Sequence, residues 1–278
     1  MIISNTQNIY FSPTHTSKQV AEAIVRGVGT NKVATTDLTV GAIPETILPA
    51  STLAVIAVPV YGGHVAPSAM ERLRNLRGTN TPAALVVVYG NRAYEKALIE
   101  LDWLMMEQGF KVIAAATFIG EHSYSNSNYP IASGRPDEDD LQAAFRFGEQ
   151  IAQKIAAAGN PDTLYSIDVS RIPRPAQPFI QLLRFLGKVI ALRKRAVPLP
   201  RTPWVEDENL CTHCGLCVKC CPVGAVALGD ELHIDAQRCI KCCACVKSCP
   251  KKAKVYDTPF AALLSQCFRK QKKPQTIV

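Results

Sequence analysis

Along the first 160 residues the apolar positions switch between short continuous runs and helical spacing, a pattern that predicts strands and helices in turn. Residues 9–11 form a short first strand that ends in the polar loop Ser12-Pro-Thr-His-Thr-Ser17. Over residues 18–28, Val20, Ala21, Ile24 and Val28 share one helical face. Residues 33–38 read as a second strand, and the apolar run 52–60 as a third strand buried on both faces. Helix is expected over 68–76, strand over 83–89, helix over 94–108, strand over 112–118 and a long closing helix over 139–158. Strands separated by helices in this way need crossover connections, so the fold class expected is α/β with a parallel sheet.

From residue 170 the pattern changes. Six prolines, Pro173, Pro175, Pro178, Pro198, Pro200 and Pro203, bracket a helical stretch at 179–195. On it Gln181, Arg184, Lys188 and Arg195 share one face, and apolar residues cover the rest. Such a helix either docks on a neighbouring domain or lies on an anionic membrane surface, and both readings stand. Residues 205–257 hold little conventional core, and the basic stretch 260–278 is expected to pack loosely or wrap back. The chain therefore divides into an α/β domain (1–162), a proline-rich connector (163–204), a cysteine-bearing module (205–258) and a basic tail (259–278).

Composition sharpens this picture in two places. The 278 residues are 47% hydrophobic, enough for a core, yet no apolar run reaches the roughly 18 residues of a membrane span. No basic segment followed by an apolar one opens the chain, so a cytoplasmic location is the expectation. Charge is uneven: residues 1–160 carry 12 Lys+Arg against 14 Asp+Glu, and the remainder 19 against 9. A basic second half suits an acidic redox protein, an anionic small molecule or a membrane surface, and no nucleic-acid partner is expected.

The cysteines are more specific. The first 210 residues have none, ten lie between Cys211 and Cys249, and Cys267 is the eleventh. Clustering at ligand spacing points to a metal centre rather than a disulfide scaffold. Two copies of one motif stand 28 residues apart: Cys211-x2-Cys214-x2-Cys217-x3-Cys221-Pro222 and Cys239-x2-Cys242-x2-Cys245-x3-Cys249-Pro250. Thiolates so spaced wrap a short loop around an iron–sulfur cubane, three of them locally. A four-cysteine zinc site would lack the x3-Cys-Pro endings. Over about 50 residues the stretch resembles the bacterial-type two-cluster ferredoxins. The resemblance implies two 4Fe–4S clusters with crossed ligation. Cys211, Cys214, Cys217 and Cys249 would hold one, and Cys239, Cys242, Cys245 and Cys221 the other. It also implies two short strands around a Gly229-Asp230 turn within 225–235. Such ferredoxins usually carry Gly where this chain has Lys241 and Cys243, and a cation directed at a cluster would raise its potential. Cys220, Cys243 and Cys267 fall outside the repeat and read as small buried thiols.

The α/β domain holds a second set of motifs. Hydroxyls and N–H groups of Ser12, Thr14, His15, Thr16 and Ser17 lie where a strand feeds a helix, which makes an anion pocket. Two further loops follow the third and fourth strands: Pro59-Val-Tyr61-Gly62-Gly63-His64 and Tyr89-Gly90-Asn91-Arg92-Ala-Tyr94. In a doubly wound sheet of order 2-1-3-4-5, ligands bind at those strand ends. Residues 8–160 resemble the flavodoxins in this respect. The resemblance implies FMN, with Ser12, Thr14, Thr16 and Ser17 on the phosphate and Tyr61 and Tyr94 flanking the ring. His15 stands where flavodoxins place Gly, and Thr16 where they place Asn. Where they carry Gly-Asp, this chain has Gly90-Asn91 followed by Arg92, a loss of negative charge that should ease the flavin's second reduction. His64 and His122 read either as surface-loop residues or as proton donors to a flavin-dependent reduction. No Gly-x-Gly-x-x-Gly follows a strand, so no NAD(P) site is expected.

The whole chain resembles the flavodoxin–ferredoxin fusion family: a flavodoxin-like doubly wound α/β sheet joined to a small α+β two-cluster ferredoxin domain. The resemblance implies an iron–sulfur flavoprotein that passes single electrons between clusters and FMN. It would act as a ferredoxin-dependent reductase of a small acceptor, as a carrier docking with an acidic ferredoxin or flavodoxin, or as a redox sensor.

Overall fold

The computed structural model describes residues 3–159, 163–194 and 199–278. The expected boundary at residue 162, with Arg195 and Pro198, lies outside the described residues.

Five parallel strands form the centre: β1 (Asn5–Tyr10), β2 (Val33–Asp37), β4 (Thr52–Tyr61), β7 (Thr81–Tyr89) and β8 (Phe110–Ile119). Their order across the sheet is β2-β1-β4-β7-β8. The runs in β4, β7 and β8 are apolar without alternation because helices cover both faces, as in parallel sheets generally. On one face lie α1 (Thr16–Val28) and α4 (Glu138–Ala158), around Val20, Ile24, Phe147 and Ile151. These two helices touch closely at Gly27 and Gly148: a Cβ on Gly27 would stand 1.9 Å from the Phe145 carbonyl oxygen. On the other face lie α2 (Pro67–Leu73) and α3 (Ala97–Glu107), around Leu73, Leu98, Leu101 and Leu104. A capping box starts α4, with Asp137 accepting from Asp140 N–H at 3.0 Å and Asp140 accepting from Asp137 N–H at 3.1 Å.

Periodicity does not anticipate the small pairings. The helix expected over 68–76 stops at Leu73, and β6 (Leu76–Gly78) then pairs with β3 (Thr46–Leu48) beside the main sheet. A two-residue strand, β5 (His64–Val65), folds back on β4.

The C-terminal third is one module and two straps. In the module, β9 (Trp204–Val205) pairs antiparallel with β10 (Lys254–Val255) and brackets both cysteine motifs. The stretch 225–235, expected as two strands, makes one isolated bridge, Ala227 to Asp230, because Asp230, His233 and Asp235 close it with turn hydrogen bonds. The straps are α5 (Phe179–Lys194) and the tail. That tail wraps back: α8 (Pro259–Cys267) packs on α5, and β11 (Gln275–Ile277) adds antiparallel to the outer edge of β8. Covering the edge this way satisfies strand hydrogen bonds that would otherwise face water.

Candidate functional site

A cavity of about 530 Å³ opens at the carboxyl ends of the parallel strands. Its floor comes from the three segments singled out in the sequence: Thr14 and Thr16 after β1, Pro59 to Gly63 at the end of β4 and just beyond, and Tyr89, Gly90 and Arg92 at the end of β7 and just beyond. A fourth wall follows β8 and includes Glu121, His122, Ser123 and Tyr124. The roof is made by straps distant in sequence: Phe185, Leu186 and Val189 of α5, and Phe260 and Leu264 of α8. Ile240 and Lys241, from the second cysteine motif, close one side.

Not every expected residue faces this cavity. The Ser12 hydroxyl accepts from Lys18 N–H at 3.0 Å, so it is committed to starting α1. His15 caps α1 in the left-handed conformation (φ 66°), which turns its side chain outside the cavity lining and costs about 1 kcal/mol for a residue with a Cβ. Ser17 is buried, its hydroxyl without a hydrogen-bond partner among the described residues. Asn91 is also buried and turned away. Its amide donates to Phe268 O at 2.7 Å and to Lys270 O, and its carbonyl accepts from Lys272 N–H at 2.9 Å. The amide therefore anchors the returning tail. Tyr94, expected beside the ring, lies in the core edge-on to Tyr89, with its hydroxyl donating to the carbonyls of Ile172 and Pro173.

The two histidines separate. His64 is exposed, pairs with Glu100 at 2.5 Å and is not among the residues that line the cavity, as its surface-loop reading expects. His122 lines the cavity, and Tyr124 N–H donates to its Nδ1 at 3.0 Å, which leaves the ring proton on Nε2. Burial lowers its pKa to about 4, and Lys247 and Arg92 add to the effect. At neutral pH it is a neutral hydrogen-bond donor and a poor acid. Its ring fills the space above Gly90, where a Cβ would come within 2.2 Å. Arg92 pairs with Glu95 at 2.7 Å and lies over the Phe185 ring.

The cysteines fall into two small cavities. One is lined by Cys211, Cys214, Cys217 and Cys249, the other by Cys221, Cys239, Cys242 and Cys245, together with Cys243. Among the described residues no group of three His, Cys, Asp or Glu converges as a single metal ion would require. The two motifs repeat in backbone as well as in sequence. Positive φ recurs at His213 and Lys241, Gly215 and Cys243, and Gly224 and Lys252, each pair 28 apart. Short helices α6 (Leu216–Lys219) and α7 (Ala244–Lys247) keep the same spacing.

Their surroundings differ. Cys214 is exposed, whereas Cys242, Cys243 and Cys245 are buried. The second motif is held against the α/β domain: Lys247 pairs with Glu121 at 2.6 Å and donates to Ser125 O at 2.8 Å. Arg72 donates to Pro222 O at the end of the first motif. Between the large cavity and the second motif lie tyrosines. Burial pushes the Tyr61 hydroxyl well above its ordinary pKa, and neighbouring Cys242 and Cys243 add to the rise. The Tyr124 ring lies 4.8 Å from His122 on one side and 5.1 Å from Tyr256 on the other.

Sequence reasoning missed Tyr124, Lys241 as a cavity residue, and the whole roof. Tyr124 was within reach, since it follows His122 in the same strand-end loop; Phe260 and Leu264 carry no local signal.

No protein-family model matches the chain, and no curated protein matches it. Among solved structures it is similar to a flavodoxin from the domain Archaea, at 17% identity and TM-score 0.36 over 55% of this chain and 99% of that one. A Streptococcus pneumonia TIGR4 flavodoxin stands at 16% and 0.38, over 54% and 99%. Rubredoxin oxygen:oxidoreductase from the anaerobe Desulfovibrio gigas stands at 13% and 0.39, over 55% and 36%.

Proposed function

We propose that the chain is an iron–sulfur flavoprotein in which a two-cluster ferredoxin module feeds an FMN site, and that it reduces a small acceptor in the large cavity. One observation carries the reading: a loop of the second cysteine motif forms a wall of the cavity built by the strand-end loops. When bound, FMN takes up electrons singly or in pairs and each 4Fe–4S cluster transfers one.

The residues present suit these groups. Thr14 and Thr16, at the start of α1, would hold a phosphate, helped by the helix dipole. Tyr61 with the Gly62-Gly63 turn, and Gly90 with Arg92, would flank a flat ring on its two sides. Arg92 and Lys241 would favour an anionic ligand. The crossed cysteine sets of the two small cavities suit the ligation of a two-cluster ferredoxin.

The roof favours a reductase over a bare carrier. Phe185, Leu186, Phe260 and Leu264 lay apolar side chains over the space above the strand ends, and about 530 Å³ lies within the usual range of small-molecule sites. His122 Nε2–H would orient the ligand by donation, while the protonated hydroxyls of Tyr61 and Tyr124 supply O–H groups at the same wall.

The test is compositional. Protein prepared without oxygen should hold about eight irons and eight acid-labile sulfides, and acid should release FMN. Release of FAD, or of no flavin from protein reconstituted with FMN, would defeat the N-terminal half of the proposal.

A further inference from the structure

The helix α5 docks by only one side. Leu182 and Phe185 pack on α8, with Phe185 edge-on to Phe268 at 5.2 Å, yet among its described residues α5 has none that is fully buried. Phe179, Leu183, Leu186 and Ile190 recur at i, i+4, i+7 and i+11 and form a ridge about 16 Å long. They are 72%, 53%, 45% and 54% exposed, and Ile180 beside them is 75% exposed. Single exposed apolar residues are ordinary, but a continuous ridge on one helix marks an interaction face.

The charge around the ridge selects its partner. Between residues 169 and 203 there are eight Lys+Arg and no Asp or Glu, and residues 259–278 add four Lys+Arg, again with no acid. Arg184 and Arg269 line a cleft between α5 and the end of α8, and Lys194 ends the helix on the ridge side. A second copy of so basic a face would be repelled by the first. An apolar ridge flanked by cations, on a helix without acids, is the arrangement that enters the plane of an anionic bilayer. Among the described residues no helix is long and apolar enough to cross a membrane, so attachment would be peripheral.

We propose that α5 binds an anionic lipid surface by inserting the ridge from Phe179 to Ile190, with Lys194 and the long side chain of Arg184 reaching the headgroups from its flanks. Because Leu186 belongs to both the ridge and the cavity roof, docking would bring the cavity beside the membrane.

Vesicle co-sedimentation of the full chain, with its cofactors, tests this. Binding should be strong to phosphatidylcholine vesicles containing about one-third phosphatidylglycerol, weak to phosphatidylcholine alone, and reduced by added salt. The double variant Leu183→Glu, Ile190→Glu should bind the anionic vesicles about tenfold more weakly or worse. Both positions are exposed and outside the cavity, so circular dichroism and cofactor content should stay at wild-type values. Equal binding to the two vesicle types, or unchanged binding by the double variant, would overturn the proposal. So would a dimer in sedimentation velocity that the double variant abolishes while vesicle binding stays absent, since the ridge would then serve a second copy.

Discussion

The two cysteine motifs share spacing, backbone conformation and helix placement, yet only the second meets the large cavity. His213 and Lys241 adopt the same left-handed conformation at equivalent places, with φ 51° and 57°. Lys241 lines the large cavity, whereas His213 pairs with Glu231 at 2.8 Å within the module. The first set includes an exposed cysteine and no buried one, whereas the second includes the buried Cys242 and Cys245. A repeat that is symmetric in itself thus becomes directional through what it is packed on: one end faces solvent and possible donors, the other faces the proposed flavin site.

The sharpest way to break this comparison is to remove the crossing ligands. Cys221→Ala, although in the first motif, should empty the buried set, and Cys249→Ala the outer one. Each should halve the iron from about eight to about four per chain. Electron paramagnetic resonance of the remaining cluster would show which is lost. Loss of the outer cluster in Cys221→Ala would contradict the crossed sets.

A smaller effect compares the cavity wall with its outer equivalent. Gly90→Ala pushes a Cβ into the His122 ring, and should cost about 1–3 kcal/mol in denaturant unfolding together with a clear loss of FMN affinity. Lys241→Gly and His213→Gly each relieve a left-handed residue, worth about 1 kcal/mol. Only Lys241→Gly should weaken FMN binding, by about three- to tenfold, through loss of a cation at the cavity. Equal flavin affinity in the two variants would remove the asymmetry between the motifs.

The effect confined to acid pH belongs to His122. Its pKa is near 4 when folded against the ordinary 6.5, so between those values the unfolded chain binds more protons. Stability from this group is complete above about pH 6.5 and falls as the pH drops to about 4, by about 1–2 kcal/mol after allowing for water in the cavity. His122→Asn should flatten that part of the curve, as measured by urea unfolding at several pH values.

How much of this the sequence carries depends on how local the cause is. The parallel strands are legible because β4, β7 and β8 are apolar runs buried on both faces. The cysteine sets are legible because one spacing of four cysteines and a proline recurs 28 residues on. The loops after β1, β4 and β7 are also visible, but which of their side chains face the cavity is not. Asn91 and Tyr94 look like ligand-binding residues until the tail residues Phe268 to Lys272 and the connector carbonyls of Ile172 and Pro173 take their polar groups. Both partners are remote in sequence, and no periodicity announces them. The same is true of β11, whose three residues close the sheet edge from the far end of the chain.

The central claim is that the buried cysteine motif and the cavity work as one unit within a single chain. Flash reduction of the clusters, followed by flavin absorbance at several protein concentrations, tests it most directly. The packing of Ile240, Lys241 and Tyr61 between the two sites predicts first-order flavin reduction at a rate independent of concentration. A rate that rises in proportion to protein concentration would mean that electrons pass between molecules, and would contradict the account.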